Sequence, residues 1–237
     1  VITAKELNIT LTRRGKISND NIPMCGIPFH AINNYVPKLV KKGYEIAICE
    51  QTISPKEMAS KGMKGPLTRE ITRIITPGTL IDEFHVESNQ NNFLGCLTID
   101  KTEFSLSWLD VSTGSFLTNV FKYKTIEEFK YKIENIFNKI SVSELLVSDL
   151  ENKLTSHLNL KIKVKKINNI FFSYKENYER LKNYYNLEIS KWTLNELQVI
   201  SCGVIIYYLE HAFKKNLPQL RYIEKKEDTL FLSRYTM

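Results

Sequence analysis

The chain has 237 residues, of which 43% are hydrophobic and 25% are charged, the composition of ordinary globular proteins. Its longest apolar stretch, residues 199–209, is too short to cross a bilayer, and its first residues lack the pattern of a secretory signal. Four scattered cysteines form no Cys-x-x-Cys pair, which excludes a zinc ribbon and disfavours a disulfide scaffold. These features exclude a membrane protein and favour a cytoplasmic one.

Positive charge is concentrated at the start of the chain. Residues 1–77 contain 12 of the 33 Lys and Arg residues but only 6 of the 26 Asp and Glu residues. This third has a net charge of +6, whereas the remainder has +1. A basic segment of this kind favours a polyanionic partner such as nucleic acid. The alternative is a general abundance of lysine, together with asparagine and isoleucine, as in proteins from AT-rich genomes.

The first 80 residues predict a small domain with a sheet and one helix. Alternation of apolar and polar residues over 9–13 is typical of a half-buried strand. The apolar spacing after Ala31 predicts a helix that Gly43 ends. In chain order, the predicted elements are a strand at 9–13, a loop at 15–28, a helix at 31–42, strands at 44–49 and 70–76, and a loop at 54–66 between those strands.

A polar tract at residues 81–92 is the predicted linker to a second, mixed α/β domain. Three apolar runs with turn residues between them predict an antiparallel meander, and Thr125 with Glu128 forms a capping box for the helix that follows. The predicted elements are strands at 93–99, 104–111, 115–121, 143–147 and 161–164, and helices at 125–139 and 149–157.

The last predicted helix of this domain begins at a capping box of Thr193 and Glu196. Its residues 199–209 are apolar nearly all round, which predicts a buried helix, and Gly203 in its middle indicates a close contact. Residues 214–237 are predicted to begin a third unit. Both ends of the chain read as interior sequence, so we expect a piece of a longer protein.

Motifs for catalysis are missing from the sequence. Residues 62–65 lack the Lys-Ser/Thr pair of a phosphate-binding loop, and the four histidines have no metal-ligand spacing. Asp100 and Asp110 flank strands of a domain whose predicted strand order points toward a ribonuclease-H-like fold. A metal-dependent nuclease of this fold is therefore an alternative, although two-metal catalysis needs more convergent carboxylates than these strands offer.

Lysines alternate along the last predicted strand and continue just beyond it. A period of two places Lys161, Lys163 and Lys165 on one face. This stripe has two interpretations, a nucleic-acid contact or an edge strand that uses lysine against aggregation, and we prefer the second.

Candidate DNA-contacting residues lie in the first domain. Arg13 and Arg14 end a predicted strand beside a glycine, where backbone freedom and two guanidinium groups suit phosphate oxygens. Met24 lies in a loop stiffened by two prolines, from which an apolar side chain either presses on a minor groove or folds into the core. Arg69 and Arg73 stand four apart on a predicted strand, hence on one face, and can add phosphate contacts.

Ordered motifs along the chain resemble the MutS family of DNA mismatch-repair proteins. They are Pro23-Met-Cys-Gly-Ile-Pro-Phe-His30, Tyr35, Leu39-Val-Lys-Lys-Gly-Tyr-Glu-Ile-Ala-Ile-Cys-Glu-Gln51, and the run from Arg69 to Ile74-Ile-Thr-Pro-Gly-Thr79. Leu109-Asp-Val-Ser-Thr-Gly114 and Leu217-Pro-Gln-Leu220 continue the resemblance in weaker form. It covers the whole chain as an N-terminal piece of a much larger protein.

The resemblance implies four segments in the order of that family. They are an N-terminally truncated mismatch-recognition domain at 1–80, a linker at 81–92, a ribonuclease-H-like connector domain at 93–213, and the start of the lever and core region at 214–237. The implied function is the recognition of mismatched duplex DNA within a clamp-forming ATPase of the bacterial cytoplasm, associated with the nucleoid.

Residue by residue, the resemblance implies a DNA-facing role for part of the first domain. Arg13 and Arg14 are similar to cations that contact the DNA backbone, and Arg69 stands at a matching basic position. Met24 resembles the element that lies against the minor groove near the mispair. The connector domain is similar to the surface that couples the family to MutL, with no individual residue carried over.

The sequence departs from the family pattern in three places. The Phe-x-Glu wedge that inserts beside a mispair belongs upstream of Val1, and the C-terminal ATPase domain with its Walker motif is missing. Ser233 replaces the aspartate that usually precedes the threonine of the lever motif. We therefore expect no cofactor and no catalysis in this piece, whereas the full-length protein implied by the resemblance is a homodimer that uses ATP and Mg²⁺.

Two other hypotheses remain beside mismatch recognition. One is the metal-dependent nuclease, which a Mg²⁺-dependent cleavage assay would separate from DNA binding alone. The other is a chain specialised for protein contacts that has lost DNA binding together with the wedge, which a salt titration of DNA binding would identify.

Overall fold

The computed structural model describes residues 1–17, 20–62, 64–65, 67–81, 91–151, 158, 160, 162–186, 193–214 and 216–226. These residues form two mixed α/β units, which confirms the predicted fold class. Most of the predicted linker, the end of the predicted helix at 149–157 and residues 227–237, which include Ser233, lie outside the described part.

The first unit is built from two pairs of antiparallel strands and three helices. Strand β1 pairs with β2, and β3 pairs with β4. Its small core joins Val36 and Val40 of α2 to Ile75 and Leu80. The elements are α1 (Ile2–Leu7), β1 (Thr12–Ile17), β2 (Asp20–Met24), α2 (Ile32–Lys41), β3 (Ile46–Gln51), α3 (Pro55–Ser60) and β4 (Arg69–Ile75).

The predicted helix and the two later strands of this unit are confirmed, but its beginning differs. Asn8 ends α1 in the left-handed conformation, with φ 53°, so the first strand starts three residues later than predicted. The first predicted loop contains β2, because a strand paired on one side only tolerates Pro23. The second contains α3, which begins at a capping box of Ser54 and Glu57.

The second unit contains one sheet of six strands in the order β10-β7-β6-β5-β8-β9. β5, β6 and β7 form the predicted antiparallel meander, whereas β8, β9 and β10 join it in parallel. The order of β5 to β9 is the one expected for a ribonuclease-H-like fold. The strands are β5 (Phe93–Ile99), β6 (Glu103–Asp110), β7 (Ser115–Lys122), β8 (Val142–Ser148), β9 (Lys163–Ile167) and β10 (Glu224–Lys225), and the helices are α4 (Ile126–Phe137), α5 (Tyr174–Tyr185) and α6 (Glu196–Phe213).

Helices cover both faces of this sheet. Phe129 and Ile133 of α4 pack on one face together with Phe93 of β5. α6 packs on the other face, where Leu94 of the same strand and Leu181 of α5 contact it. Neighbouring residues of β5 therefore face opposite cores, as the period of two in a strand requires.

Helix α6 is buried along most of its length, as predicted. Its N-cap is Asn195, which forms a capping box with Gln198, so the helix begins two residues later than the Thr193–Glu196 pair indicates. The close contact at Gly203 is confirmed, because a Cβ built there would lie 2.4 Å from the Cβ of Asn177 on α5. Among the described residues, no helix is both long and apolar enough to cross a membrane.

Small polar side chains meet between the sheet and α6. The Ser107 hydroxyl lies 2.7 Å from the Ser201 hydroxyl of α6 and 2.8 Å from that of Thr118 on β7. Ser105 on the same face of β6 lies 3.1 Å from Ser201. All four are buried, and the hydrogen bonds between them offset the cost of burying their hydroxyl groups.

Residues 216–226, which we expected to begin a third unit, pack against the second. The Tyr184 hydroxyl donates to the Pro218 carbonyl over 2.5 Å, and Leu220 is buried. A Cβ at Gly114 would lie 2.7 Å from the Gln219 carbonyl oxygen, so the segment passes close to the turn before β7. Its last described part is β10.

Candidate DNA interface

The β1–β2 hairpin presents two adjacent arginines to solvent. Arg13 lies opposite Pro23, and a bulge follows between Arg13 and Lys16. Gly15 within this bulge has φ 67°, a value that favours glycine. Arg13 and Arg14 are both exposed and form no ion pair with a described acidic side chain. Their positive charges are therefore available to a polyanion.

Met24 ends β2 at the base of the same hairpin. The Thr12 hydroxyl donates to the Met24 carbonyl over 2.8 Å, which holds the backbone at this point. The side chain is 38% exposed, so Met24 does not fold into the core. Leu11, Ile22 and Phe29 are exposed apolar side chains of the same region. The β1–β2 hairpin and the segments that flank it thus carry exposed apolar groups as well as the two arginines.

The expectation that Arg69 and Arg73 share one face of β4 is wrong. Arg69 lies opposite Gln51 on β3, whereas Arg73 lies opposite Ile48. The register changes between them because Thr72 is an extra residue in β4, a β-bulge. Their partners Ile48 and Gln51 are three positions apart on β3 and therefore point to opposite faces of the sheet. The two arginines opposite them do the same.

The two arginines accordingly have different surroundings. Arg69 is exposed. The guanidinium of Arg73 lies over the ring of Phe213 on α6, at a cleft of about 830 Å³ between the two units that Glu50 and Asn216 also line. Arg69 is therefore better placed to contact DNA than Arg73, whose guanidinium lies over Phe213.

Two lysines of the first unit have acidic or aromatic partners. The Lys42 ammonium bonds Glu6 over 2.5 Å and lowers the pKa of that carboxyl. The Lys38 ammonium lies 5.2 Å from the centre of the Tyr35 ring. Lys38 and Lys42 thus differ from Arg13 and Arg14, which form no ion pair with a described acidic side chain.

Two lysines of β9, Lys163 and Lys165, face the first unit. β9 is an edge strand of the described sheet, as preferred from the sequence, although it starts two residues later than predicted. Lys165 forms an ion pair of 2.7 Å with Glu45, and the Lys163 ammonium donates to the Gly43 carbonyl over 3.4 Å. Lys161 lies outside the described residues. Lys163 and Lys165 thus contact protein rather than standing free for nucleic acid.

Of the two aspartates considered for a nuclease, Asp110 has structural partners for its carboxylate. Asp110 is buried and accepts hydrogen bonds from the backbone N–H groups of Ser112 and Thr113. Within the described ranges, no group of three or more metal-ligating side chains comes together. Nothing in this arrangement favours nuclease chemistry.

Burial changes the titration of several groups in the second unit. It raises the pKa of Glu151 to about 7, although the Ile99 N–H donates to this carboxylate over 3.0 Å. It raises the pKa of the Cys202 thiol to about 12 and that of Cys96 well above its ordinary value. None of these groups lies in the first unit, where the candidate DNA contacts are.

The sequence patterns predicted the exposed Arg13, Arg14 and Met24. They did not predict the bulge in β4 or the contacts between the two units. The bulge at Thr72 has no glycine or proline to indicate it. The contacts between the two units join residues that are far apart in the chain, such as Lys165 and Glu45. No local pattern in the sequence could have paired them.

Comparison with known proteins assigns both units. Residues 1–84 match the family model for MutS domain I, and residues 92–221 match that for MutS domain II. The DNA mismatch repair protein MutS of Ehrlichia chaffeensis is 34% identical over 97% of this chain and 28% of its own length. That of Caldicellulosiruptor bescii is 37% identical over 94% of this chain and 24% of its own length.

A third relative has higher identity over a shorter stretch. MutS of Caldicellulosiruptor saccharolyticus is 44% identical over 65% of this chain and 16% of its own length. The chain thus spans about a quarter of the length of the relatives that it matches almost completely. Two family models in sequence order and relatives above 30% identity show that the chain belongs to the MutS family of DNA mismatch-repair proteins.

Proposed function

We propose that this chain is the DNA-binding and connector portion of a mismatch-repair protein, and that its first unit binds duplex DNA containing mispairs. The observation that carries the proposal is the exposed pair Arg13 and Arg14 beside the exposed side chain of Met24. Arg69 adds a third exposed arginine to the same unit. Membership of the MutS family supports this assignment.

The residues divide between two kinds of DNA contact. Arginines bind phosphate oxygens through a planar fork, and such contacts position a protein without reading sequence. Met24 presses on the minor groove, where apolar side chains widen and kink a duplex. A mispair weakens stacking and makes this deformation cheaper, which favours the mismatched site. Arg73 retains its proposed DNA role only if it can leave Phe213.

The whole protein has further proposed properties that this piece does not itself supply. The full-length protein binds ATP and Mg²⁺, forms a homodimer, acts in the cytoplasm, and contacts MutL through the unit that contains β5 to β9. The piece itself is proposed to be non-catalytic and to bind no nucleotide. Isothermal calorimetry with ATP tests the last point, because stoichiometric binding would contradict it.

A salt titration with matched variants tests the DNA-binding proposal. The chain is expected to bind a fluorescent duplex weakly, with an affinity that falls steeply as salt rises. Replacement of Arg13 and Arg14 by alanine should weaken binding to matched and mismatched duplexes equally. It should also lower the salt slope by about 1 for each arginine that binds a phosphate. Lys101→Ala, which removes an exposed cation of the second unit, is the control and should have little effect.

Mispair preference gives a separate readout for Met24. Without a stacking wedge, we expect less than about tenfold preference for a mispair. A larger preference that Met24→Ala abolishes would locate discrimination in the loop after β2. Absence of any salt-dependent DNA binding would refute the proposed function and favour a chain specialised for protein contacts.

A further inference from the structure

The carboxylate of Glu144 joins the two units. Glu144 lies on β8 and has no solvent-accessible surface. Its Oε2 accepts hydrogen bonds from the Thr76 hydroxyl over 2.5 Å and from the Gly78 N–H over 2.9 Å. Its Oε1 accepts one from the Tyr208 hydroxyl of α6 over 2.8 Å. Two donors thus come from the first unit and one from the second.

The first unit is shaped to reach this carboxylate. Thr76 and Gly78 belong to the Thr-Pro-Gly-Thr turn that directly follows β4. Thr79 holds the turn, since its hydroxyl accepts from the Thr76 N–H over 2.9 Å. A Cβ at Gly78 would lie 2.7 Å from Leu94 Cδ1 and 3.0 Å from the Cβ of Glu144. Only glycine therefore allows the turn to approach β8 so closely.

Buried hydrogen bonds distinguish the contact at Glu144 from the partly exposed ion pair Lys165–Glu45 across the same boundary. A buried carboxylate must keep its donors, because an ionised group without them is costly in an apolar environment. No described basic side chain forms an ion pair with Glu144, so Thr76, Gly78 and Tyr208 carry its stabilisation. The partly exposed pair Lys165–Glu45 contributes little, as surface ion pairs do.

We propose that Glu144 is a positioning residue for DNA binding, which fixes β4 in one orientation against the second sheet. β4 runs from the exposed Arg69 to Ile75, the residue directly before Thr76, so its far end carries the candidate DNA contact. When Thr76 and Gly78 bind Glu144, the first unit and the second behave as one body. The effect on DNA affinity rests on the proposed DNA-binding function, whereas the fixed orientation does not.

Distance measurements between the two units test the orientation without DNA. Spin labels are attached at Asn34→Cys on α2 and Glu134→Cys on α4, both exposed positions, after Cys25 and Cys49 are replaced by serine. Pulsed electron resonance should give a narrow distance distribution for the labelled parent chain. Thr76→Val, which keeps the shape of the side chain and removes the donor, should broaden it. Thr76→Ser, which keeps the hydroxyl, should restore the narrow distribution.

Two further variants distinguish the loss of hydrogen bonds to Glu144 from a general loss of packing. Thr72→Val removes a partly buried hydroxyl of β4 that donates to the Ile48 carbonyl rather than to Glu144. This variant should leave the distance distribution narrow. A folded Glu144→Ala variant should also broaden the distance distribution. If Glu144→Ala does not fold, Thr76→Val is the variant that decides. A narrow distribution for Thr76→Val, equal to that of Thr76→Ser, would overturn the proposal.

DNA binding provides the second readout. Thr76→Val should weaken binding of a fluorescent duplex at least threefold, while Thr76→Ser and Thr72→Val should bind as the parent does. Broadened distances with unchanged affinity would refute the role of Glu144 in DNA binding. If the parent chain itself binds no DNA, the proposed function fails, and the distance measurements still decide whether Glu144 fixes the two units.

Discussion

Arg73 and Phe213 stack across the boundary between the two units, with the guanidinium carbon 4.8 Å from the centre of the ring. The contact joins β4 of the first unit to the last residue of α6. An arginine over an aromatic face is attracted by the negative charge of that face. This relationship separates Arg73 from Arg69, which the bulge at Thr72 places on the other side of the strand.

Alanine at these two positions should have different effects. Arg69→Ala should weaken DNA binding and reduce its salt slope by about 1. Arg73→Ala should change DNA binding less but lower the free energy of unfolding by about 1 kcal/mol. Fluorescence anisotropy and urea unfolding of both variants measure these effects. A larger drop in DNA affinity for Arg73→Ala than for Arg69→Ala would show that Arg73 leaves Phe213 to contact DNA.

Gly203 should tolerate no side chain. A Cβ at this position would lie 2.4 Å from the Cβ of Asn177, so Gly203→Ala must separate α5 from α6. We expect the free energy of unfolding to fall by about 2 kcal/mol despite the better helix propensity of alanine. Gly26→Ala is the matched control, because nothing lies within 4 Å of a Cβ there. Equal urea midpoints for the two variants would contradict the expected clash.

Glu151 should make stability depend on pH. Burial raises the pKa of this carboxyl from 4.5 to about 7 in the folded chain. The folded state therefore holds the proton more tightly than the unfolded state does. The resulting stabilisation is fully present below about pH 4.5 and is lost as the pH rises through 7. The free energy of unfolding changes by on the order of 3 kcal/mol at most over this range.

Glu151→Gln is the variant that tests this dependence. The amide oxygen can still accept from the Ile99 N–H, but the side chain no longer titrates. The free energy of unfolding, measured in urea at several values between pH 5 and 8, should fall with pH in the parent chain and change less in the variant. Parallel curves for the two proteins would show that another group causes the fall.

The four cysteines should divide into two classes of reactivity. Cys49 is exposed and Cys25 is partly exposed, whereas Cys96 and Cys202 are buried. Burial raises the pKa of both inner thiols, and the thiolate is the reactive form. An aromatic disulfide reagent should therefore modify two thiols in the folded chain and all four in denaturant. Rapid reaction of a third thiol in buffer would show that the second unit opens.

Regular hydrophobic patterns were sufficient to predict much of the second unit. The runs that became β5, β6 and β7 alternate or are continuously apolar, and turn residues separate them. Helix α5 was missed because its sequence is mostly polar and its only buried residues are Asn177 and Leu181. A helix that buries so narrow a face leaves little signal in the sequence.

The candidate site was predictable only in part. Adjacent arginines on a hairpin and a methionine between prolines are local features, and the structure exposes all three side chains. Their contact with DNA stays a prediction. The partner of Thr76 was not predictable, because Glu144 is 68 positions away in the chain. Long-range polar contacts depend on the packing of whole units rather than on local sequence.

The buried hydroxyl groups between the sheet and α6 have a consequence for the rotation of that helix about its own axis. Because residues 199–209 of α6 are apolar nearly all round, turning the helix would change the buried apolar area very little. Such a turn would, however, separate Ser201 from Ser105 and Ser107, and would bring a larger side chain than Gly203 against Asn177. Three hydroxyl groups and one glycine therefore select a single rotational setting, and with it the direction in which Tyr208 points toward Glu144.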